Sequence, residues 1–261
     1  MDLELNDKRA MVTGADRGTG KLIAESLATE GVQIILHGAT EDSASSAAAD
    51  IAGANPVWGD VATETGCADI VAQAQAVGPV DILVNNYGTA SRGKWQTATE
   101  DDWLDMYQKN VLSAARLARA LVPGMTEQGW GRVIQLGTIG SHQPNAVMPH
   151  YYAAKGALAT LSASLALEVA NTGITVNTVS PGLIHTQELE AMYRLKAERR
   201  GWGEDWPAIL DKLVEEDFPN PVGRIASRRE VADLVVYLCS PRADFIHGQN
   251  IRVDGGAVRY V

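Results

Sequence analysis

Short apolar runs rich in β-branched residues recur along the chain, and most are separated by alanine- and leucine-rich stretches with helical spacing. The runs are "RAMVT" (9–13), "VQIIL" (32–36), "VDILVN" (80–85), "RVIQLG" (132–137), "ITVNTV" (174–179) and "NIRVDG" (250–255), with a shorter one at "NPVW" (55–58). They read as strands, and intervening segments such as "GKLIAESLATEG" and "WLDMYQKNVLSAARLARALV" read as helices. This alternation leads to an α/β fold: a doubly wound, mostly parallel seven-stranded sheet with helices on both faces. The 261 residues, 46% of them hydrophobic, show no composition break, internal repeat or low-complexity linker, so one domain over residues 1–261 is expected.

The first run leads directly into "TGADRGTG" (13–20) and then into a helical segment. Gly14, Gly18 and Gly20 permit a tight turn and let a pyrophosphate approach backbone N–H groups at a helix N-terminus, with Asp16, Arg17 and Thr19 on the same loop. A glycine motif alone is weak evidence, but here it sits between a strand and a helix.

The spacing Gly14-x-x-x-Gly18-x-Gly20, then "NNYG" (85–88), Asn110, Tyr151-x-x-x-Lys155 and the Pro181–Gly182 pair resembles the short-chain dehydrogenase/reductase family over nearly the whole chain. The resemblance implies a Rossmann-type fold, a nicotinamide cofactor and a homotetramer assembled partly through the helices carrying Asn110 and Tyr151. It implies that Asn86 and Gly88 flank the cofactor, and that Asp60, followed by Val61, holds the adenine amino group. Tyr87 stands where the family usually has alanine; it either stacks near the cofactor or covers a sheet end.

Near the end of the second strand, a carboxylate would bond a ribose 2′-hydroxyl and repel a 2′-phosphate. NAD-preferring relatives carry aspartate at the position of Gly38, and Arg17 matches a basic position of NADP-preferring members, whereas Ala39 replaces the arginine many of them carry. NADP(H) is therefore expected, with NAD(H) as the alternative.

Tyr151 and Tyr152 both lie one helical turn from Lys155, so spacing does not choose between them. The family pattern selects Tyr151 as general acid/base and leaves Tyr152 to line the pocket or pack against another subunit. A tyrosine titrates near pH 10. A cation at about 4 Å, in an effective dielectric near 20, contributes about 4 kcal/mol, enough for Lys155 together with an oxidised nicotinamide to lower it.

By the same resemblance, Thr138 occupies the position of the serine that steadies the substrate oxygen, with Ser141 as the competing hydroxyl. Asn110 props a water connecting Lys155 to solvent, and Lys155 bonds the nicotinamide ribose. Pro181, Gly182, Ile184 and Thr186 follow the sixth strand beside the nicotinamide. The pocket is expected to draw on residues 141–151, Trp95 and the segment after Thr186.

Residues 187–217 stand where the family places its substrate-covering segment. Leu189, Met192 and Tyr193 share one helical face there, as do Trp206, Ile209, Leu210 and Leu213, with Gly201, Gly203 and Pro207 between or beside them. A hinged lid of two amphipathic helices is expected.

Composition narrows partners and setting. A net charge of -10 without a dense Lys/Arg run disfavours nucleic acid. Cys67 and Cys239 lack metal or disulfide spacing, which suits a reducing cytoplasm, and the five histidines form no ligand pattern, so no metal is expected. The first ten residues are charged, and no apolar run approaches the roughly 18 residues of a membrane span. The expected activity is reversible hydride transfer between NADP(H) and a carbonyl/alcohol pair on a small molecule. A 3-oxoacyl-thioester reductase and a non-catalytic NADP sensor are the alternatives.

Overall fold

In the computed structural model, which describes residues 2–259, β1 (Arg9–Val12) lies at the middle of the sheet. Met1, Tyr260 and Val261 lie outside the described residues. β2 (Gln33–Gly38) and β3 (Asn55–Trp58) extend the sheet on one side. β4 (Ile82–Asn85), β5 (Gly131–Leu136), β6 (Ile174–Pro181) and β7 (Asn250–Val253) extend it on the other. Every pairing in the order β3-β2-β1-β4-β5-β6-β7 is parallel.

The helices in chain order are α1 (Gly18–Thr29), α2 (Glu41–Ala48), α3 (Glu64–Val77), α4 (Glu100–Tyr107), α5 (Ser113–Gln128), α6 (Pro149–Glu168), α7 (Gln187–Arg200), α8 (Trp206–Glu216) and α9 (Arg228–Cys239). Successive strand residues serve opposite faces. Val12, Ile34, Leu36, Ile82 and Val84 pack with α1, α2 and α9, while Met11, Ile35, Leu83 and Val133 pack with α3 and α5. Burial on both faces is why the strands read as continuous apolar runs without alternation. Each fully buried Leu or Ile contributes roughly 1.5–3 kcal/mol, so the two layers hold the sheet rigid beneath the loops at its edge.

β2 and β6 run two residues further than expected, because Gly38 pairs with Trp58 and Pro181 with Val253. From β1 the chain winds outward to β3, then returns to β4 and winds the other way. The loops leaving β1 and β4 therefore diverge, opening a crevice at the carboxyl ends of neighbouring strands. Among the described residues no helix is long and apolar enough to cross a membrane, and no group of three or more His, Cys, Asp or Glu could hold a metal ion.

Candidate active site

The loop between β1 and α1 turns through Gly14 (φ 57°) and Gly18 (φ 63°), left-handed conformations in which a Cβ would be strained. Asn86, just past β4, donates from Nδ2 to the carbonyls of Thr13 and Gly14, both at 2.9 Å, and Gly20 leaves the space for that amide. Thr13 Oγ1 accepts the backbone N–H of Tyr87 at 3.0 Å. The β1 and β4 loops are thus stitched together across the crevice, with the first turn of α1 and its free N–H groups beside them.

A residue the sequence gave no reason to single out completes this loop. His37, buried in β2, accepts the N–H of Gly14 at Nδ1 (3.0 Å) and faces the Gly59 carbonyl with Nε2 (3.1 Å). The carbonyl requires a proton on Nε2, so the ring is neutral, and burial lowers its pKa. It lies one residue past the strand read from the sequence, "VQIIL" (32–36), where nothing marked it for this role.

Gly38 ends β2 where a Cβ would meet Ser43 Oγ at 2.7 Å and the Ala44 nitrogen at 2.9 Å. α2 therefore excludes a carboxylate there. Arg17 is the exposed N-cap residue of α1, and its charge helps lower the pKa of Glu188 at the start of α7. Asp60 is exposed after β3 and accepts the Ala62 N–H at 2.9 Å, while Val61 is buried beneath it. Tyr87 packs against the α3/α5-side core and meets His37 edge-on with ring centroids 6.5 Å apart, so its ring covers the sheet end.

At the reacting end, Thr138 follows β5 and its side chain faces the hydroxyl of Tyr151 on α6, whose pKa it helps hold down against burial. Thr138 also accepts the Gly140 N–H at 3.2 Å, whereas Ser141 donates to the Thr138 carbonyl at 2.7 Å and is engaged with the backbone. The geometry thus distinguishes the two hydroxyls. Tyr152 is held differently: its oxygen accepts from Asn145 Nδ2 at 3.0 Å, and its ring lies over Gly140.

Lys155 is buried and donates to the Leu136 carbonyl at 2.7 Å. Burial lowers its pKa to about 8. Burial also pushes the Tyr151 hydroxyl up to about 12, with Tyr152 adding to the rise and the Thr138 side chain opposing it. The expected lowering of Tyr151 rests on Lys155 together with an oxidised nicotinamide; in the protein alone, desolvation of the hydroxyl dominates.

Asn110 lies in a π-helical turn (Gln108–Leu112) between α4 and α5, not within a regular α-helix as the sequence suggested. The wider turn frees a main-chain acceptor, and Asn110 Nδ2 donates to the carbonyls of Met106 and Thr89, each at 3.0 Å. Its buried Oδ1 has no partner. A Cβ added to Gly88 would lie 2.6 Å from that oxygen and 3.0 Å from Lys155 Nζ, so both groups converge on the space left by this glycine.

Beyond Thr138 opens a cleft of about 1550 Å³, lined at its base by Gly140, Asn145, Met148 and Tyr152, and elsewhere by Gly182 and α7. Pro181 ends β6, and Gly182 donates to the Val253 carbonyl at 2.9 Å. Ile184 bridges to Ala226, and Thr186 caps α7 by accepting the Leu189 N–H at 3.1 Å. Met148 adopts φ 66° immediately before Pro149, a strained conformation anchored by its N–H to the Gly93 carbonyl at 2.8 Å. Trp95 does not join the cleft: it is 68% exposed and its ring meets Trp103 instead.

α7 and α8 enclose a small core of their own around Tyr193, Ala197, Ile209 and Leu213. The buried face of α7 is Leu189, Tyr193 and Ala197; Met192 turns outward toward the cleft, a correction to the expected face. His185 stacks on Trp206, with centroids 5.6 Å apart, and contacts Glu190, which also accepts from Arg194, tying the two helices together.

A nucleotide-shaped crevice next to a hydroxyl pair and a buried lysine defines an oxidoreductase of Rossmann type. The chain matches the family model described as enoyl-(acyl carrier protein) reductase over residues 14–258. It is 37% identical to the 3-oxoacyl-[acyl-carrier-protein] reductase of Vibrio cholerae, covering 97% of this chain and 98% of the relative. The solved L-sorbose reductase from Gluconobacter frateurii, complexed with NADPH and L-sorbose, superposes with a TM-score of 0.94 at 36% identity, covering 100% of both chains. A gluconate 5-dehydrogenase from Burkholderia cenocepacia, in complex with NADP and tartrate, superposes with a TM-score of 0.86 at 29% identity, covering 100% of this chain and 98% of that one. The chain belongs to the short-chain dehydrogenase/reductase family, and its activity is that of an oxidoreductase acting on CH–OH and carbonyl groups.

Proposed function

We propose that the protein interconverts an alcohol and a ketone of a small polyhydroxylated substrate with NADP(H). The observation that carries this reading is the approach of the Thr138 side chain, which lines the cleft, to the buried Tyr151 hydroxyl, with Lys155 and Asn110 converging on the space beside Gly88. The glycine turn fits a pyrophosphate, the carboxylate-free end of β2 together with Arg17 fits a 2′-phosphate, and the unpartnered Asn110 oxygen fits a bridging water. Asp60 and Val61 would hold the adenine, and Ile184 and Thr186 the carboxamide. The nicotinamide, when bound, supplies or accepts the hydride.

In the reduction direction Tyr151 protonates the carbonyl oxygen while Thr138 donates a hydrogen bond to it. Lys155 binds the ribose and, with Asn110, returns a proton toward Tyr151. α7 and α8 act as a lid that excludes water from the cleft. The L-sorbose bound by one structural relative and the gluconate in the name of the other support the polyhydroxylated class. The side chains of Asn145 and Tyr152 offer hydroxyl-matching partners at the cleft base.

The assembly that fits is a homotetramer in the cytoplasm, with exposed apolar groups on α4, Leu104 and Tyr107, available for burial between subunits. Oxidation of NADPH and reduction of NADP⁺ should be followed with L-sorbose, D-gluconate and an acetoacetyl thioester, with NADH and NAD⁺ in parallel. Turnover of the polyhydroxylated compounds, with an NADPH preference that shrinks in Arg17→Ala, supports the reading; turnover of the thioester alone replaces it with the acyl-thioester alternative.

A further inference from the structure

We infer that the substrate carries a carboxylate, held at the cleft mouth by Arg92 and Arg199. This rests on the oxidoreductase reading above and narrows its substrate to a polyhydroxylated acid.

The cleft runs against the charge of the whole molecule. The chain has a net charge of -10, yet among the described residues Arg92, Lys196, Arg199, Arg200 and Arg259 line the cleft against one carboxylate, Asp217. That carboxylate is already engaged, in an ion pair with Lys196 and accepting the Tyr193 hydroxyl at 2.8 Å. Elsewhere, cations commonly have acidic partners: Lys21 with Asp50, Arg116 with Glu64, Arg224 with Glu230. Among the described residues, no ion pair involves Arg92 or Arg199.

Arg92 is the more informative of the two. It belongs to the loop after β4, and its Nη2 reaches across to the lid, where it donates to the thioether sulfur of Met192 at 3.1 Å. Sulfur is a weak acceptor for a guanidinium that presents five donors in a planar fork. A carboxylate entering the cleft between loop and lid would replace a poor partner with a bidentate one. Arg199 has a simpler explanation, since a cation in the last turn of α7 complements the helix dipole. That explanation does not reach Arg92, which is on no helix. The two guanidiniums come from different elements lining the one cleft, the loop after β4 and α7, and the cofactor's phosphates do not account for either, because the phosphate-binding turn lies at Gly14–Gly20 with its own Arg17. A cationic mouth on an anionic protein also concentrates anionic substrate locally.

The test compares an acid with a neutral ketose in the NADP(H)-loaded protein. In the wild type, D-gluconate oxidation should lose efficiency as salt rises, whereas L-sorbose reduction should be nearly insensitive. In an Arg92→Gln/Arg199→Gln double variant, kcat/KM for D-gluconate should fall at least about tenfold more than for L-sorbose, mainly through KM, as expected for loss of a charge-assisted contact. Arg92→Lys should recover part of the loss by restoring charge without the fork. Calorimetry of D-gluconate and L-sorbose binding to the NADPH-loaded Tyr151→Phe protein, with and without the two arginine substitutions, gives the same comparison as Kd, independent of turnover.

Equal losses for both substrates would overturn the carboxylate assignment while leaving the oxidoreductase reading intact. Absence of D-gluconate binding, alongside L-sorbose turnover, would do the same. Turnover confined to an acetoacetyl thioester would overturn both.

Discussion

The imidazole of His37 joins the loops that follow β1 and β3, accepting the Gly14 N–H at 3.0 Å and facing the Gly59 carbonyl at 3.1 Å. Only the neutral ring with its proton on Nε2 can do both. Burial lowers its pKa below the ordinary 6.5, so below that pH the unfolded chain takes up a proton that the folded chain refuses. Stability should therefore fall as pH drops through about 6.5 toward 5. His37→Leu should remove that part of the pH dependence and, by leaving the Gly14 N–H unpaired, cost roughly 1–3 kcal/mol at neutral pH. Thermal melts across this pH range check both; an unchanged profile in the variant would assign the acid sensitivity elsewhere.

Tyr151→Phe should abolish turnover and leave NADPH affinity nearly intact, because it removes the proton donor alone. Tyr152→Phe should retain most activity, since that hydroxyl bonds Asn145 and not Thr138. Steady-state rates and fluorescence titration with NADPH separate the two outcomes, and a reversal would transfer the proton to Tyr152.

Thr138→Ala should lower kcat by about 10²–10³-fold, the range for loss of a donor to a developing oxyanion. Thr138→Ser keeps the oxygen, sheds a stiffening methyl group and should come within a small factor of the parent rate. Full activity in the alanine variant would contradict the role of the Thr138–Tyr151 pair.

Lys155 illustrates function held against stability. Its ammonium is buried and donates to the main-chain carbonyl of Leu136, and its pKa falls from 10.5 to about 8. Below pH 8 the folded protein keeps an unfavourable buried charge, and between 8 and 10.5 it sheds that proton while the unfolded chain retains its own. Stability should thus rise over this alkaline window. Lys155→Met should eliminate activity yet melt higher than the parent at pH 7, with the advantage disappearing toward pH 10.5. Calorimetric melts at pH 7 and pH 10 provide the comparison.

The lid makes its own prediction. α7 and α8 pack around a core separate from the two sheet layers. Amides of residues 187–217 should exchange faster than those of α5 in the protein alone and slow when NADPH and substrate are both present. Strong protection throughout would mark a static element instead.

The alternation of apolar runs and helical segments was enough to determine a doubly wound sheet, because a strand buried on both faces needs continuous apolar residues and a parallel neighbour needs a helical return. The glycine turn and the Tyr151–Lys155 spacing were legible for the same reason: each depends on local geometry that a few adjacent residues dictate. Other features depend on groups brought together from distant positions. The approach to Tyr151 that distinguishes Thr138 from Ser141 exists only where the end of β5 meets α6. His37 takes its role from the loops that β1 and β3 place on either side of it. The π turn that orients Asn110 has no signature in "YQKNVLS", and the outward turn of Met192 was fixed by which face of α7 found α8. The balance at Tyr151 was not legible either, because spacing places a cation nearby but says nothing of desolvation, which packing sets and which dominates in the protein alone.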